Sequence, residues 1–157
     1  MSSGESSRRN VIVGGMLALC AVTSAFAQTP SADISGATPG QLAQRFVDEK
    51  LAVWQERLKL EDWRISAVMT RRSDLAPKTL GGIRWDKNKK SAVIWVLDPA
   101  DYRLPFPQML EDMELTVVHE LVHLELASQP RSEAHRGNEE HAVSELAQAM
   151  LLLDRKK

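Results

Sequence analysis

The chain has 157 residues, of which 43% are hydrophobic and 26% are charged, and its formal net charge is −1. This balance of charge gives no electrostatic reason to expect a nucleic-acid or anionic-membrane partner. The length is enough for one domain with a modest core, which excludes a multidomain architecture. The single cysteine, Cys20, lies in an apolar segment near the N-terminus, so disulfides and thiolate metal ligands are not expected in the rest of the chain.

The first 27 residues have the order of segments that is typical of a secretory signal. Arg8 and Arg9 precede an apolar run, and Ala25 and Ala27 offer the small side chains that a signal peptidase requires. The adjacent arginines also resemble a twin-arginine export signal, which leaves the export route open. We therefore expect an exported protein, periplasmic or secreted, with no integral membrane segment after residues 1–27 are removed.

A short tether is expected to precede the folded domain. Residues 28–37 mix small, polar and proline residues without apolar periodicity, which is typical of a flexible segment. Thr38 and Pro39 then form a helix start, with a hydroxyl cap and a proline in the first turn. Apolar residues at helical spacing predict a helix over about residues 39–59, at the start of a single domain over residues 38–157.

Three apolar segments in the middle of the chain predict strands. Apolar and polar residues alternate over Trp63–Met69, as they do in a half-buried strand. Two further apolar segments, Gly81–Trp85 and Ser91–Leu97, flank a polar turn at residues 86–90. Together these segments predict a three-stranded antiparallel sheet.

Two helices are expected in the last third of the chain. Helical spacing predicts one from about Gln108 to Ala127 and another from Asn138 to about Asp154. The predicted apolar side of the last helix comprises Ala142, Val143, Leu146, Ala147, Ala149, Met150 and Leu151. The order helix, sheet, helix, helix predicts an α+β fold in which the two last helices pack together.

The first of these two helices contains the motif His119-Glu120-Leu121-Val122-His123. Its two histidines are four residues apart, so both imidazoles can reach one metal ion from the same helix face. Glu120 lies beside that face and can take a proton from water. The motif therefore predicts a catalytic zinc site, in which a third protein ligand completes the set and the fourth position stays open.

The third ligand has three candidates, Glu139 and Glu140 on the last helix and His135 in the loop before it. A helical wheel places Glu139 at the middle of the predicted apolar face, whereas Glu140 aligns with Val143, Ser144, Ala147 and Leu151. Burial therefore favours Glu139. Histidine and carboxylate are both ordinary zinc ligands, so the residues by themselves leave all three candidates open.

The chain resembles the small gluzincins, metallopeptidases that pair His-Glu-x-x-His on one helix with a glutamate ligand on the next. It is most similar to the group related to phage-regulatory and radiation-response metallopeptidases. The second helix of that group resembles Glu-x-x-Ala-Asn-x-Phe-Ala, and the segment from Glu140 to Ala147 fits this frame. The resemblance covers roughly residues 60–154 and implies Glu140 as the third zinc ligand. Val143 and Ser144 replace the alanine and asparagine of the frame, so any hydrogen bond from the asparagine position must come from serine.

Other metallopeptidase families differ in where they place the remaining site residues. His135 follows His123 by twelve residues, a spacing similar to that of SprT-like metallopeptidases, which take a third histidine from a loop. Metzincins need a glycine and a third histidine much closer to the second, which excludes that family.

The larger gluzincins stabilise the oxyanion with residues after the glutamate helix, and few residues follow Leu153. His135, His141 and Tyr102 are the candidates for that role.

These features predict a zinc-dependent metallopeptidase that hydrolyses peptide bonds of an exported or envelope polypeptide through a zinc-activated water, with Glu120 as general base. The expected partner is a peptide or protein substrate. In metallopeptidases of the kind that the chain resembles, the sheet edge nearest the zinc often pairs with extended peptide, and Ser91–Leu97 is the candidate strand, although core packing explains its apolar run equally well. One alternative is a non-catalytic zinc-binding regulatory or interaction module on the same fold. Another is a structural zinc site with a fourth protein ligand.

Overall fold

A computed structural model describes residues 36–127 and 136–156 of the chain. Its main elements follow in the order α1 (Pro39–Arg57), β1 (Arg64–Thr70), β2 (Gly81–Asp86), β3 (Ser91–Leu97), α2 (Phe106–Leu126) and α3 (Arg136–Asp154). Helices and one three-stranded sheet make an α+β fold, which confirms the predicted class. The predicted signal, residues 28–35 of the predicted tether, and His135 lie outside the described residues. Among the residues that are described, no helix is long and apolar enough to cross a membrane.

The start of α1 is fixed by its local sequence. The Thr38 hydroxyl accepts a hydrogen bond from the backbone N–H of Gln41, and the Gln41 side chain accepts one from the backbone N–H of Thr38. Pro39 occupies the first turn, where its missing N–H costs no helical hydrogen bond. The buried side chains of α1 are those of Ala43, Val47, Leu51 and Trp54. Their helical spacing packs α1 against β1 and α2.

The sheet is mixed, whereas the sequence predicted an antiparallel one. The strand order is β1-β3-β2, with β3 in the centre. Ile94 of β3 pairs with Ala67 of the parallel strand β1 and with Ile83 of the antiparallel strand β2. A turn at residues 87–90 joins β2 to β3, whereas residues 71–80 carry the chain from β1 to the far edge of the sheet. The antiparallel expectation for β1 is therefore wrong. Period-two alternation indicates which face of a strand is buried, but it carries no information on the direction of the strand.

Helix α2 lies in the core and packs against α1, α3, β2 and β3. Its fully buried side chains are those of Met113, Val117, Val118 and Leu121. Nε1 of Trp54 donates to Oε1 of Glu114 at 3.0 Å, and Nζ of Lys50 lies 3.1 Å from the same oxygen. At the other end of α2, the Lys87 ammonium donates to the carbonyl oxygen of Ala127. Polar contacts from α1 and from the β2–β3 turn therefore fix the position of α2 along its length.

Helix α3 packs on α2 through a narrower face than the sequence predicted. Its buried side chains are those of Val143, Ala147 and Leu151. Ala142, Leu146 and Ala149 are exposed, so their prediction as part of the packed face is wrong. Because α3 packs mainly against one neighbour, α2, it buries only one row of side chains. The same row reaches Glu140 at its N-terminal end, three residues before Val143.

Candidate metal centre

His119, Glu120 and His123 lie on the part of α2 that faces β2 and α3. The Nε2 atoms of the two histidines are 3.0 Å apart, and their ring centroids are 4.7 Å apart with an interplanar angle of 69°. His123 is buried and His119 is half-buried. The four-residue spacing thus brings one nitrogen of each ring to a common point.

Glu140 of α3 joins the two histidines. Its Oε1 lies 3.3 Å from Nε2 of His123, and its Oε2 lies 3.5 Å from Nε2 of His119. A tetrahedral ion with bonds of about 2.0–2.1 Å holds its ligand atoms about 3.3 Å apart. The observed separations of 3.0, 3.3 and 3.5 Å bracket that value. His119, His123 and Glu140 can therefore hold a metal ion.

Glu139 approaches His123 from the other side of the ring. Its Oε1 lies 3.6 Å from Nδ1 of His123, and its side chain is 20% exposed, against 64% for Glu140. Burial by itself thus selects Glu139, as the helical wheel did, whereas the positions of the ligand atoms select Glu140. The two criteria differ because the burial of a carboxylate does not determine which ring nitrogen it faces. The candidacy of His135 stays a prediction, since that residue lies outside the described part of the chain.

Burial shifts the pKa values of two groups at the centre, Glu120 and His119. It raises the pKa of Glu120 to about 7, and the negative charge of Glu140 adds to this rise. It lowers the pKa of His119, and the neighbouring His123 acts in the same direction. A neutral imidazole is the form that binds a metal. Glu120 is a carboxyl group that can take up and return a proton near neutral pH.

The centre opens onto a cleft of about 970 Å³. The cleft is lined by residues of β2, α2 and α3 and by four residues before β2, namely Ala76, Lys78, Thr79 and Leu80. The prediction that Ser91–Leu97 forms the peptide-pairing edge is wrong, because β3 is paired with a strand on both sides. Within the described residues, β2 pairs with β3 alone. Consecutive residues of β2, Gly81, Gly82 and Ile83, line the cleft, which places an edge of that strand there.

Gly81 allows β2 to approach α2 closely beside the centre. A Cβ atom at this position would lie 2.3 Å from Cγ2 of Thr116 and 2.6 Å from the carbonyl oxygen of Trp95. Thr116 lies one turn before His119 and Glu120 and lines the cleft with them. This contact was not predicted from the sequence, although a glycine inside a strand is a signal of close backbone approach.

Two of the three predicted candidates for oxyanion stabilisation, Tyr102 and His141, do not line the cleft, and the third, His135, lies outside the described residues. The Tyr102 hydroxyl donates to Oδ2 of Asp112 at 2.9 Å, and Tyr102 is not among the residues that line the cleft. Burial, together with Asp112, raises the pKa of Tyr102, so its phenol stays protonated. His141 is exposed on α3, away from the lining. Ser144, at the asparagine position of the gluzincin frame, does line the cleft.

The described residues thus bring two histidines and a glutamate from α2 and α3 together at one end of a cleft. A buried carboxyl group, that of Glu120, lies next to them in the chain and lines the same cleft. The donor set contains only nitrogen and carboxylate oxygen, which fits a divalent transition metal. No protein-family model, curated protein or solved structure matches this chain, and its resemblance to the small gluzincins stays a prediction.

Proposed function

We propose that the protein is a zinc-dependent metallopeptidase that hydrolyses peptide bonds of an exported or envelope polypeptide. His119, His123 and Glu140 hold the zinc ion, and Glu120 is the general base. The observation that carries the proposal is the convergence of the ligand atoms, at separations of 3.0, 3.3 and 3.5 Å, beside buried Glu120 at the cleft. Three protein ligands and an open fourth position are typical of catalytic zinc sites.

The chain supplies the proton transfers of the reaction. Bound zinc contributes Lewis acidity, which lowers the pKa of water and polarises a carbonyl group. Glu120 directly follows His119 on α2 and lines the same cleft as the three ligand residues, and the charge of Glu140 acts on its carboxyl group. An oxygen of Glu120 takes the proton from the attacking water and returns it to the leaving amine as the peptide C–N bond breaks.

An extended polypeptide is the substrate class that suits this cleft. The edge of β2 that lines it offers backbone N–H and C=O groups, since β2 pairs with β3 alone among the described strands. A polypeptide in extended conformation can add to such an edge as a further strand, which aligns its peptide bonds along the cleft. Gly81 and Gly82 have no side chains to obstruct that approach.

The proposal predicts that the Glu120→Gln variant binds stoichiometric zinc and loses hydrolysis by about 10²–10⁴-fold. The amide keeps the shape of the carboxyl group but cannot take the proton from water. Zinc is measured by elemental analysis after dialysis, and hydrolysis by release of fluorescence from a labelled unfolded protein. The Glu125→Gln variant is the matched control, because Glu125 is exposed on the same helix, and it should keep both zinc and activity.

Two results would contradict the proposal in different ways. Full activity of the Glu120→Gln variant would exclude Glu120 as the base. A wild-type protein that binds stoichiometric zinc but hydrolyses no polypeptide would favour the non-catalytic zinc-binding module. Binding of a hydroxamate to the zinc-loaded protein distinguishes a catalytic from a structural zinc site. A zinc ion with four protein ligands does not bind this water-displacing group.

A further inference from the structure

Glu139 is a largely buried carboxylate that the proposed mechanism does not use. Its side chain is 20% exposed, although it lies in the first turn of α3 next to Glu140, which is 64% exposed. It also lines the cleft. Removing a carboxylate from water is costly unless a partner compensates for the lost hydration. The position of Glu139 therefore calls for a specific partner at the centre.

One group that faces the Glu139 carboxylate is the second nitrogen of the His123 ring. Oε1 of Glu139 lies 3.6 Å from Nδ1 of this ring, while Oε1 of Glu140 lies 3.3 Å from its Nε2. The two nitrogens of an imidazole point in different directions, so a carboxylate at Nδ1 stands behind the ring when Nε2 faces an ion. Adjacent residues of a helix project about 100° apart, which lets Glu139 and Glu140 reach the two sides of one ring.

We propose that Glu139 is a positioning residue that orients His123 for the metal. The N–H at Nδ1 of neutral His123 donates to the Glu139 carboxylate, and the lone pair on Nε2 is thereby directed at the ion. The separation of 3.6 Å exceeds the length of an N–H···O hydrogen bond, about 2.7–3.2 Å, so the proposed bond requires the two atoms to approach by about 0.4–0.9 Å. The inference rests on the metal site of the proposed function but not on turnover.

Zinc affinity tests this inference, measured by competition with a chromophoric chelator. The Glu139→Ala variant is expected to bind zinc about 10–100-fold more weakly than the wild type, the usual loss when the partner of a ligating histidine is removed. The Glu139→Gln variant keeps an acceptor oxygen and should recover most of the affinity. Glu145→Ala removes an exposed carboxylate from the same helix and should leave the affinity unchanged.

Nitrogen-15 NMR of the His123 ring distinguishes positioning from a general effect on the fold. In the metal-free protein the Glu140 carboxylate lies 3.3 Å from Nε2 and competes with Glu139 for the ring proton. The wild-type and Glu145→Ala proteins are therefore expected to hold a larger share of the Nδ1–H tautomer than the Glu139→Ala protein, in which the proton shifts toward Nε2.

Two results would overturn the inference. Glu139→Ala with wild-type zinc affinity would leave Glu139 without a role at the centre, and loss of zinc as complete as in Glu140→Ala would make Glu139 a ligand. Failure of the proposed function is recognised separately, as wild-type zinc binding without hydrolysis of any polypeptide. The difference in affinity between the Glu139 variants would still stand in that case.

Discussion

Glu114 is a buried charge that joins α1 to the helix of the metal centre. Its carboxylate accepts the indole N–H of Trp54 at 3.0 Å and lies 3.1 Å from the Lys50 ammonium. The Glu114 side chain is 9% exposed, so the indole N–H has little water to replace this acceptor. A buried donor without an acceptor costs more free energy than the bond itself contributes.

Glu114→Ala is therefore expected to lower the free energy of unfolding by about 1–3 kcal/mol. Glu114→Gln keeps an acceptor for the indole and should lose less, since Lys50 is partly exposed and its ion pair contributes about 0–1 kcal/mol. Urea unfolding measures both values. Glu111→Ala, which breaks the exposed pair of Glu111 with Arg155, is the control on the same helix. Equal stability of the Glu114→Ala and Glu111→Ala proteins would contradict this account.

At the residue scale, the sequence predicted which residues of α2 lie together at the cleft, but it did not predict the long-range contacts that hold α2 in place. His119, Glu120 and His123 form a local pattern, and helical geometry alone places them together. Glu114 and Trp54 are 60 residues apart and match no motif, so only the packing of α1 on α2 brings them into contact. Long-range contacts of this kind are set by tertiary packing and leave no periodic signal.

At the scale of elements, the close packing of β2 on α2 depends on Gly81. A Cβ atom at position 81 would collide with Thr116 and with the backbone oxygen of Trp95. A Cβ atom at position 82 would meet only Cε3 of Trp95, at the ordinary contact distance of 3.6 Å. The backbone oxygen cannot rotate away, so a side chain at position 81 must displace β2 or α2. The two adjacent glycines therefore form a matched pair for a test of this contact.

Gly81→Ala is expected to destabilise the protein by about 1–3 kcal/mol, the usual cost of overpacking. It should also weaken zinc binding, because Thr116 lies one turn before His119. Gly82→Ala should be neutral or stabilising by up to about 1 kcal/mol, since it lowers the entropy of the unfolded chain. Thermal unfolding and chelator competition measure the two effects. Similar behaviour of the two variants would show that the contact at Gly81 is relieved without cost.

The sequence predicted where the elements lie more accurately than how they pair and pack. Strand positions follow from alternation, but strand direction depends on the path of residues 71–80, which have no periodic pattern. The helical wheel of α3 predicted a wide apolar side because it shows where apolar residues lie on the helix. It does not show which of them another element covers. Among the described elements, α2 is the one that makes extensive contact with α3, and Leu146 is 49% exposed.

At the scale of the whole molecule, the candidate metal centre takes its residues from two helices that are separated in the chain by residues 127–135. His119 and His123 come from α2 and Glu140 comes from α3. A ligand that binds the folded chain and not the unfolded one raises the free energy of unfolding by mass action. A shared ion therefore couples the docking of α3 to the stability of the domain.

Zinc at about 100 times its dissociation constant is expected to add about 2.7 kcal/mol to the free energy of unfolding. Urea unfolding of the metal-free and zinc-loaded proteins measures this gain. Glu140→Ala removes one ligand and should abolish most of the gain at the same zinc concentration. His141→Ala, an exposed neighbour on α3, should keep it. Identical unfolding with zinc and with a chelator would contradict a shared ion between α2 and α3.

The sequence by itself determined the α+β class, the positions of the main strands and helices, and the placement of His119, Glu120 and His123 on one face of a helix. These features depend on periodicity and local geometry, which can be read from short segments of the sequence. Tertiary structure alone decided the parallel pairing of β1 with β3, the strand that borders the cleft, and the arrangement of Glu139 and Glu140 on either side of His123. Each of these depends on how distant segments pack against one another, and a helical wheel cannot tell which nitrogen of a ring a neighbouring helix will face.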